Sequence, residues 1–332
     1  SLLANTTGTE NTAVGKDALA ANTTANGVTA VGEAALKANT TGASNTAVGE
    51  GALTTNTTGT RNTATGNAAL NAATTGDDNT GLGYFALVSA TTASDNTAVG
   101  SSAMENTTTG HSNVAVGFEV LKQNTTGSEN TAMGYQALDA ATTAENNVAI
   151  GRLAGTGLTT GGQNTIVGAA AMQTNSTGVG NVAIGISALA VAQGSDNVAV
   201  GRTSGDAVTT GANNVLMGTD AGGSLTTGGN NVSIGKDSLS QQTEAANNTA
   251  VGYKAGSGNT SGFYFTAIGA YAGENHTTGE GNTVVGYEAG HDLTTGGGNV
   301  AFGFRSLDGN STGSSNVAIG NNALGGASNS AN

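Results

Sequence analysis

Cysteine, proline and tryptophan are absent from the 332 residues, and aromatic and charged side chains are scarce, at 4% and 9%. Without cysteine there are no disulfides and no thiolate metal sites, and the redox compartment is left open. Without large side chains a wide core cannot be filled, so the two globular domains this length would ordinarily suggest are disfavoured. Low charge beside many β-branched residues argues against disorder. The formal net charge of −13 repels phosphate backbones, so no nucleic-acid partner is expected. No polybasic segment addresses anionic lipid. No apolar run approaches the roughly 20 residues that cross a bilayer, so no membrane insertion is expected in this segment. No signal peptide is visible, and Ser1, Leu2 and Leu3 already fall inside a repeat; the chain reads as a fragment of a longer protein.

What remains is alanine, threonine, asparagine and 55 glycines, arranged in one repeated unit: N-[TV]-A-[VI]-G-x-x-A-[LG]-x-x-x-T-T-G. Its strand-ending glycine recurs every 17 residues from Gly15 and Gly32 to Gly185, then from Gly201 to Gly320, which makes 19 units. The one exception is the 16-residue step from Gly185 to Gly201, where Gln193-Gly194 replaces Thr-Thr-Gly. The third residue before each glycine is Thr or Val, and the residue just before it is Val, Ile, Leu, Met or Phe except at Thr65. β-Branched residues suit a pleated, half-buried surface, so Asn-Thr-Ala-Val-Gly reads as a short strand. Alternation sends Asn and Ala to one face and Thr/Val and Val/Ile to the other. Neither face is simply polar, so both are expected to be covered, one by the coil itself and one by a neighbour.

Only Val28 and Phe265 interrupt the asparagine column. Stacked coils bring its amides into register, and Asn45, Asn62, Asn113, Asn181, Asn231 and Asn299 are expected to form a structural ladder. Thr-Thr-Gly reads as the return turn, with glycine supplying φ > 0, although Ala25, Ala93 and Ala144 stand in its place. The fourth residue after the strand glycine is usually leucine, as at Leu19, Leu36 and Leu138. Six units carry glycine there, and four of them place Leu158, Val208, Leu225 or Leu293 three positions later, as if to refill the same core layer.

One unit holds two short strands and two turns and cannot bury its apolar face alone, so units must stack. The expected fold is all-β: a continuous parallel β-solenoid of about 19 coils over residues 1–324, followed by a degenerate Gly/Ser/Asn-rich end at 325–332. At roughly 4.8 Å per coil it makes a rod on the order of 90 Å long. Such a narrow coil leaves an apolar strip, and a parallel homotrimer covers three strips by turning them inward.

Asn181-Val182-Ala183-Ile184-Gly185-Ile186-Ser187-Ala188 resembles the head repeats of YadA-like trimeric autotransporter adhesins, and related repeats occur in phage and other bacterial surface fibres. The resemblance covers nearly the whole chain, although the unit here is longer, its turn is Asn-Thr-Thr-Gly, and no coiled-coil stalk or membrane anchor is recognisable. It implies a left-handed parallel β-roll, three chains around one axis, and surface attachment. The expected function is thus a non-catalytic rod or head of an extracellular trimeric fibre, on a bacterial surface or a phage particle. Its partners would be itself and a cell-surface glycan or protein receptor. A phage tail-fibre shaft or receptor-binding segment and an ice-binding threonine array are the alternatives; an enzyme-bearing tailspike is disfavoured because the coil is too narrow for an aromatic-lined groove.

No residue set supports catalysis, a cofactor or a metal. His111, His276 and His291 lie at different repeat phases, and only His291 has an adjacent partner, Asp292, which alternation would turn away. Asp77, Asp78 and Asp95 lack the spacing of a calcium loop. Asn-Thr-Thr sequons such as Asn22 and Asn39 follow from the repeat itself. Tyr84, Phe118, Tyr135, Tyr253, Tyr287 and Phe304 follow the strand glycine, either as filler along a coil edge or as a ligand-stacking stripe. The main irregularity is Phe263-Tyr264-Phe265, with Tyr271 close behind. These four are candidate receptor-contact residues, or else a bulge or packing knob.

Overall fold

A computed structural model describes residues 1–326. From residue 327 on, the expected degenerate end lies outside the described residues. Among the described residues, nineteen three-residue strands, numbered in chain order, occupy the triplet ahead of each repeat glycine. The chain forms two compact units, one from Ser1 to Gln163 and one from Asn164 onward. In the first, β1 (Thr12–Val14) to β9 (Val148–Ile150) pair in parallel, each with the next, so that Thr12 faces Thr29, Ala13 faces Ala30 and Val14 faces Val31. In the second, β10 (Thr165–Val167) to β19 (Val317–Ile319) repeat the pattern. The offset falls to 16 only where Val182 of β11 (Val182–Ile184) faces Val198 of β12 (Val198–Val200). Each unit is therefore a parallel β-solenoid with one repeat per coil.

Each coil forms one strand, not the two expected from its length. Past the strand glycine the backbone enters the left-handed region twice, at Asp17 (φ 56°) and Leu19 (φ 51°) in the first coil, and an extended strand cannot contain such residues. The far wall is instead a run of turns that still bonds coil to coil. Leu19 N donates to Ala35 O at 3.0 Å, Ala21 N to Lys37 O at 3.1 Å and Thr23 N to Thr40 O at 3.0 Å. Backbone groups there are satisfied without a second sheet. A left-handed leucine costs roughly 1–2 kcal/mol. Leu19, Leu36 and Leu53 are wholly buried, which is worth roughly 1.5–3 kcal/mol each. Burial outweighs strain, and so leucine persists at this position.

The strand glycine is fixed by two constraints at once. Gly15 has φ +133°, and a Cβ on it would sit 2.7 Å from the carbonyl carbon of Gly32 in the next coil. The return-turn glycine differs from expectation, because Gly42 and Gly59 do not have positive φ. Close stacking is the reason for glycine there: a Cβ on Gly42 would lie 2.6 Å from Asn39 Oδ1 and press against the carbonyl oxygen of Gly59. Ala25, Ala93 and Ala144 are buried at the same place, so close stacking favours glycine there without excluding a methyl where the stacking shifts to take one.

Small apolar residues and amides together make the interior. In the first unit Asn62 N donates to Asn45 Oδ1 at 2.9 Å, and Asn62 Nδ2 donates to Gly76 O at 2.8 Å. Asn79 N then donates to Asn62 Oδ1 at 3.0 Å, and the pattern continues through Asn113 to Asn147. In the second unit the same bonds run from Asn181 through Asn231 to Asn248 and again through Asn299. Each side chain ties the start of one strand to the turn of the next coil, and all six expected ladder asparagines are fully buried. A further buried file at the seventh position after the glycine begins with Asn39 Nδ2 to Asn22 Oδ1 at 3.3 Å and Asn56 Nδ2 to Asn39 Oδ1 at 2.8 Å. Buried amides are costly unless satisfied, and coil stacking satisfies most of these; Asn56 Oδ1, which meets Ala73 in the next coil, lacks a hydrogen-bond partner.

The leucine-to-glycine exchanges follow from volume. Leu158, Val208, Leu225 and Leu293 are buried at the seventh position, as the sequence suggests. Larger residues in the strand fill the rest: a Cβ on Gly222 would lie 2.8 Å from Leu216, and one on Gly290 would lie 2.7 Å from Val284. Gly256 and Gly273, which have no later aliphatic, flank the Phe265 ring, and a Cβ on Gly256 would lie 2.8 Å from its Cε1.

Candidate functional site

The structure separates the four aromatic contact candidates. Phe265 occupies an asparagine-ladder position, points inward and has no exposed surface. It stacks on His276 with ring centres 4.1 Å apart and planes 7° apart. Phe265 therefore cannot touch a receptor; it replaces an amide with a ring because Gly256 and Gly273 leave space for one. Tyr264 is 64% exposed and Phe263 is half-buried, with their rings 6.4 Å apart. Tyr271 joins a different group.

That group is a file of four rings on successive coils. Tyr253 meets Tyr271 edge-on at 5.2 Å, Tyr271 meets Tyr287 edge-on at 5.9 Å, and Tyr287 stacks on Phe304 at 5.5 Å. Lys254 Nζ lies 5.9 Å from the Tyr253 ring and 6.0 Å from the Tyr271 ring, and the Arg305 guanidinium lies 5.3 Å from Phe304. These are cation–π distances. Sequence reasoning places Tyr253, Tyr287 and Phe304 in one column but sets Tyr271 apart, because it lies one residue further along its coil. Shorter pairs form at Tyr84–Phe85 and Phe118–Tyr135 in the first unit.

Beside the ring file is an open polar groove of about 390 Å³, lined in part by Asp237, Gln241, Lys254, Glu274, Asn275 and Thr277. Lys254 links the two features, since its Nζ also pairs with Glu274 Oε1 at 3.0 Å. That carboxylate holds the lysine's pKa above its ordinary value. Exposed rings next to amides and carboxylates suit a ligand with both apolar faces and hydroxyl groups.

The threonine pairs of the return turn have divided roles. The first hydroxyl of each pair is used within the solenoid: Thr40 Oγ1 donates to Thr57 O at 2.9 Å and Thr57 Oγ1 to Thr74 O at 3.0 Å. The second, as at Thr24, Thr41, Thr58 and Thr75, is exposed. The exposed array is therefore one threonine wide.

The three histidines have separate environments. His111 is exposed. His276 is buried, and burial lowers its pKa to about 4, so it is neutral and Asn282 Nδ2 lies 3.2 Å from its Nε2. His291, expected to point away from Asp292, contacts it at 2.9 Å through Nδ1, because turn geometry has replaced strand alternation there. Among the described residues no helix is long and apolar enough to cross a membrane. The sequence matches no protein-family model and no curated protein.

Proposed function

We propose that this chain is the rod or head segment of an extracellular fibre, a parallel homotrimer of left-handed coils that spaces and presents attachment surfaces and has no catalytic role. The outer face of the strands supports this reading. In every repeat the third residue before the glycine is Thr or Val, and the residue just before it is apolar except at Thr65; neither position carries a charge in a chain of net charge −13. In a single chain these side chains are uncovered, as at Val14, Val48 and Ile150 in the first unit and Ile184, Ile268 and Phe302 in the second. Charge-free apolar strips of this kind mark interfaces.

The occupant proposed for this face is further copies of the same chain. The strip repeats coil by coil, so parallel copies in register offer the same small apolar residues to one another at each level. Three copies close the strips around one axis, as in the fibre heads whose repeats the sequence resembles. The ring file from Tyr253 to Phe304 and its groove then serve as the attachment surface for a cell-surface glycan or protein, and three copies raise avidity. The same geometry serves a bacterial surface fibre or a phage tail-fibre shaft.

Light scattering in native buffer tests the assembly. The expected mass is three times the 31.8 kDa of the chain. Ile150→Glu combined with Ile184→Glu should reduce it to one chain while the β-sheet circular dichroism persists. A wild-type monomer would overturn the proposal.

A further inference from the structure

Three successive coils place Glu274, His291 and Asp308 at the same position, the fifth after the strand glycine, and Asp292 sits beside them. Donor atoms of His291, Asp292 and Asp308 all lie within 4.8 Å of one another. His291 Nδ1 is 2.9 Å from Asp292 Oδ1, while its Nε2 is 3.2 Å from Glu274 Oε2. Glu274 is held in turn by Lys254 at 3.0 Å. The nearby Arg305 is bound to Glu288, and its influence on the Asp308 carboxyl is the smallest of those acting there. Asp308 has its carboxyl pKa raised, first by burial and then by Asp292.

From this geometry we propose that His291, Asp292 and Asp308 form a binding site for a first-row divalent transition metal. Both imidazole nitrogens face carboxylates, Nδ1 towards Asp292 and Nε2 towards Glu274; a bound metal would displace the Nδ1 proton while Glu274 keeps accepting from Nε2–H. That is the carboxylate–histidine–metal order in which an outer carboxylate fixes the tautomer and orientation of the ligand. One imidazole nitrogen with two carboxylates suits zinc or manganese better than calcium, which takes oxygen ligands. Charge supports the same conclusion. Three carboxylates surround the imidazole and Lys254 pairs with one of them, Glu274, so a divalent ion that takes the place of the Nδ1 proton adds positive charge where carboxylates predominate. Metal–ligand bonds of about 2.0–2.2 Å require the aspartates to rotate inward, which their partial exposure permits. Water fills the remaining positions. The site ties two successive coils together and is independent of the proposed trimer.

Calorimetric titration of the full chain with zinc chloride tests the site. One zinc per chain is expected, lost in His291→Ala, weakened at least 10-fold in Asp308→Asn, and weakened roughly 10–100-fold in Glu274→Gln. His111→Ala, an exposed histidine elsewhere, should leave affinity unchanged. Thermal melts of each variant without zinc establish that the coil remains folded. Absence of zinc binding in the wild type, or binding that survives His291→Ala and Asp308→Asn, would overturn the assignment. Equal binding of calcium to the wild type and His291→Ala would also overturn it, because the carboxylates alone would then be the site.

Discussion

Replacing Phe265 with asparagine, the residue found at this position in most coils, is expected to destabilise the solenoid. The ring is fully buried, stacks on His276 and fills the space beside Gly256 and Gly273. Phe→Ala substitutions at such sites cost about 3–5 kcal/mol. The introduced amide would offset part of this loss by rejoining the ladder, since the backbone N of Phe265 already donates to Asn248 Oδ1 at 2.8 Å. A net loss of about 2–4 kcal/mol remains, on the same cavity scale. Gly256→Leu with Gly273→Leu should be strongly destabilising in the wild type, because the new side chains meet the Phe265 ring. In the Phe265→Asn background the same pair should stabilise, because it restores the packing seen around Leu19 and Leu36. That reversal of sign is the decisive result. Repeat arrays open piecewise, so the assay is hydrogen exchange of the amides between residues 248 and 282, supported by urea melts. Simple additivity of the two sets of changes would refute the size-exchange reasoning.

Asn96→Ala removes a side chain that donates to Gly110 O at 2.9 Å and accepts from Asn113 N at 3.0 Å. Leaving those buried groups unpaired should cost about 2–4 kcal/mol, read by denaturant melts, whereas Thr92→Ala on the exposed file should cost little. His276 sets a pH dependence. Its pKa falls from 6.5 in the unfolded chain to about 4 in the fold, so between these values the unfolded state binds the extra proton. The His276 contribution to stability should be constant above pH 6.5 and decline by about 3 kcal/mol as pH falls to 4. His276→Gln should flatten the decline in melts across that range.

The sequence displays the coil clearly because the repeat places each physical demand in its own column. Glycine marks a backbone and stacking constraint, asparagine a buried amide, and alanine and leucine the core. The far wall is harder to read. Left-handed leucine is rare enough that a second strand looks natural, and only the positive φ at Leu19 and its equivalents removes it. Phe265 misleads for a related reason: three adjacent aromatics suggest a surface patch, and the space that accepts one of them comes from glycines 9 residues before and 8 after it in neighbouring coils. Tyr271 and the Glu274–His291–Asp308 file depend on side chains from different coils meeting at a turn, where alternation does not apply.

Spin-label distances test the coil most directly, and the absence of cysteine allows labels to be placed at will. Labels on exposed Thr41 paired with Thr109 or with Thr143 span four and six coils of the first unit. In-register stacking at roughly 4.8 Å per coil predicts separations of roughly 19 and 29 Å, measured with excess unlabelled chain to suppress contacts between copies. Distances that fail to grow by that step for every 17 residues would contradict the account.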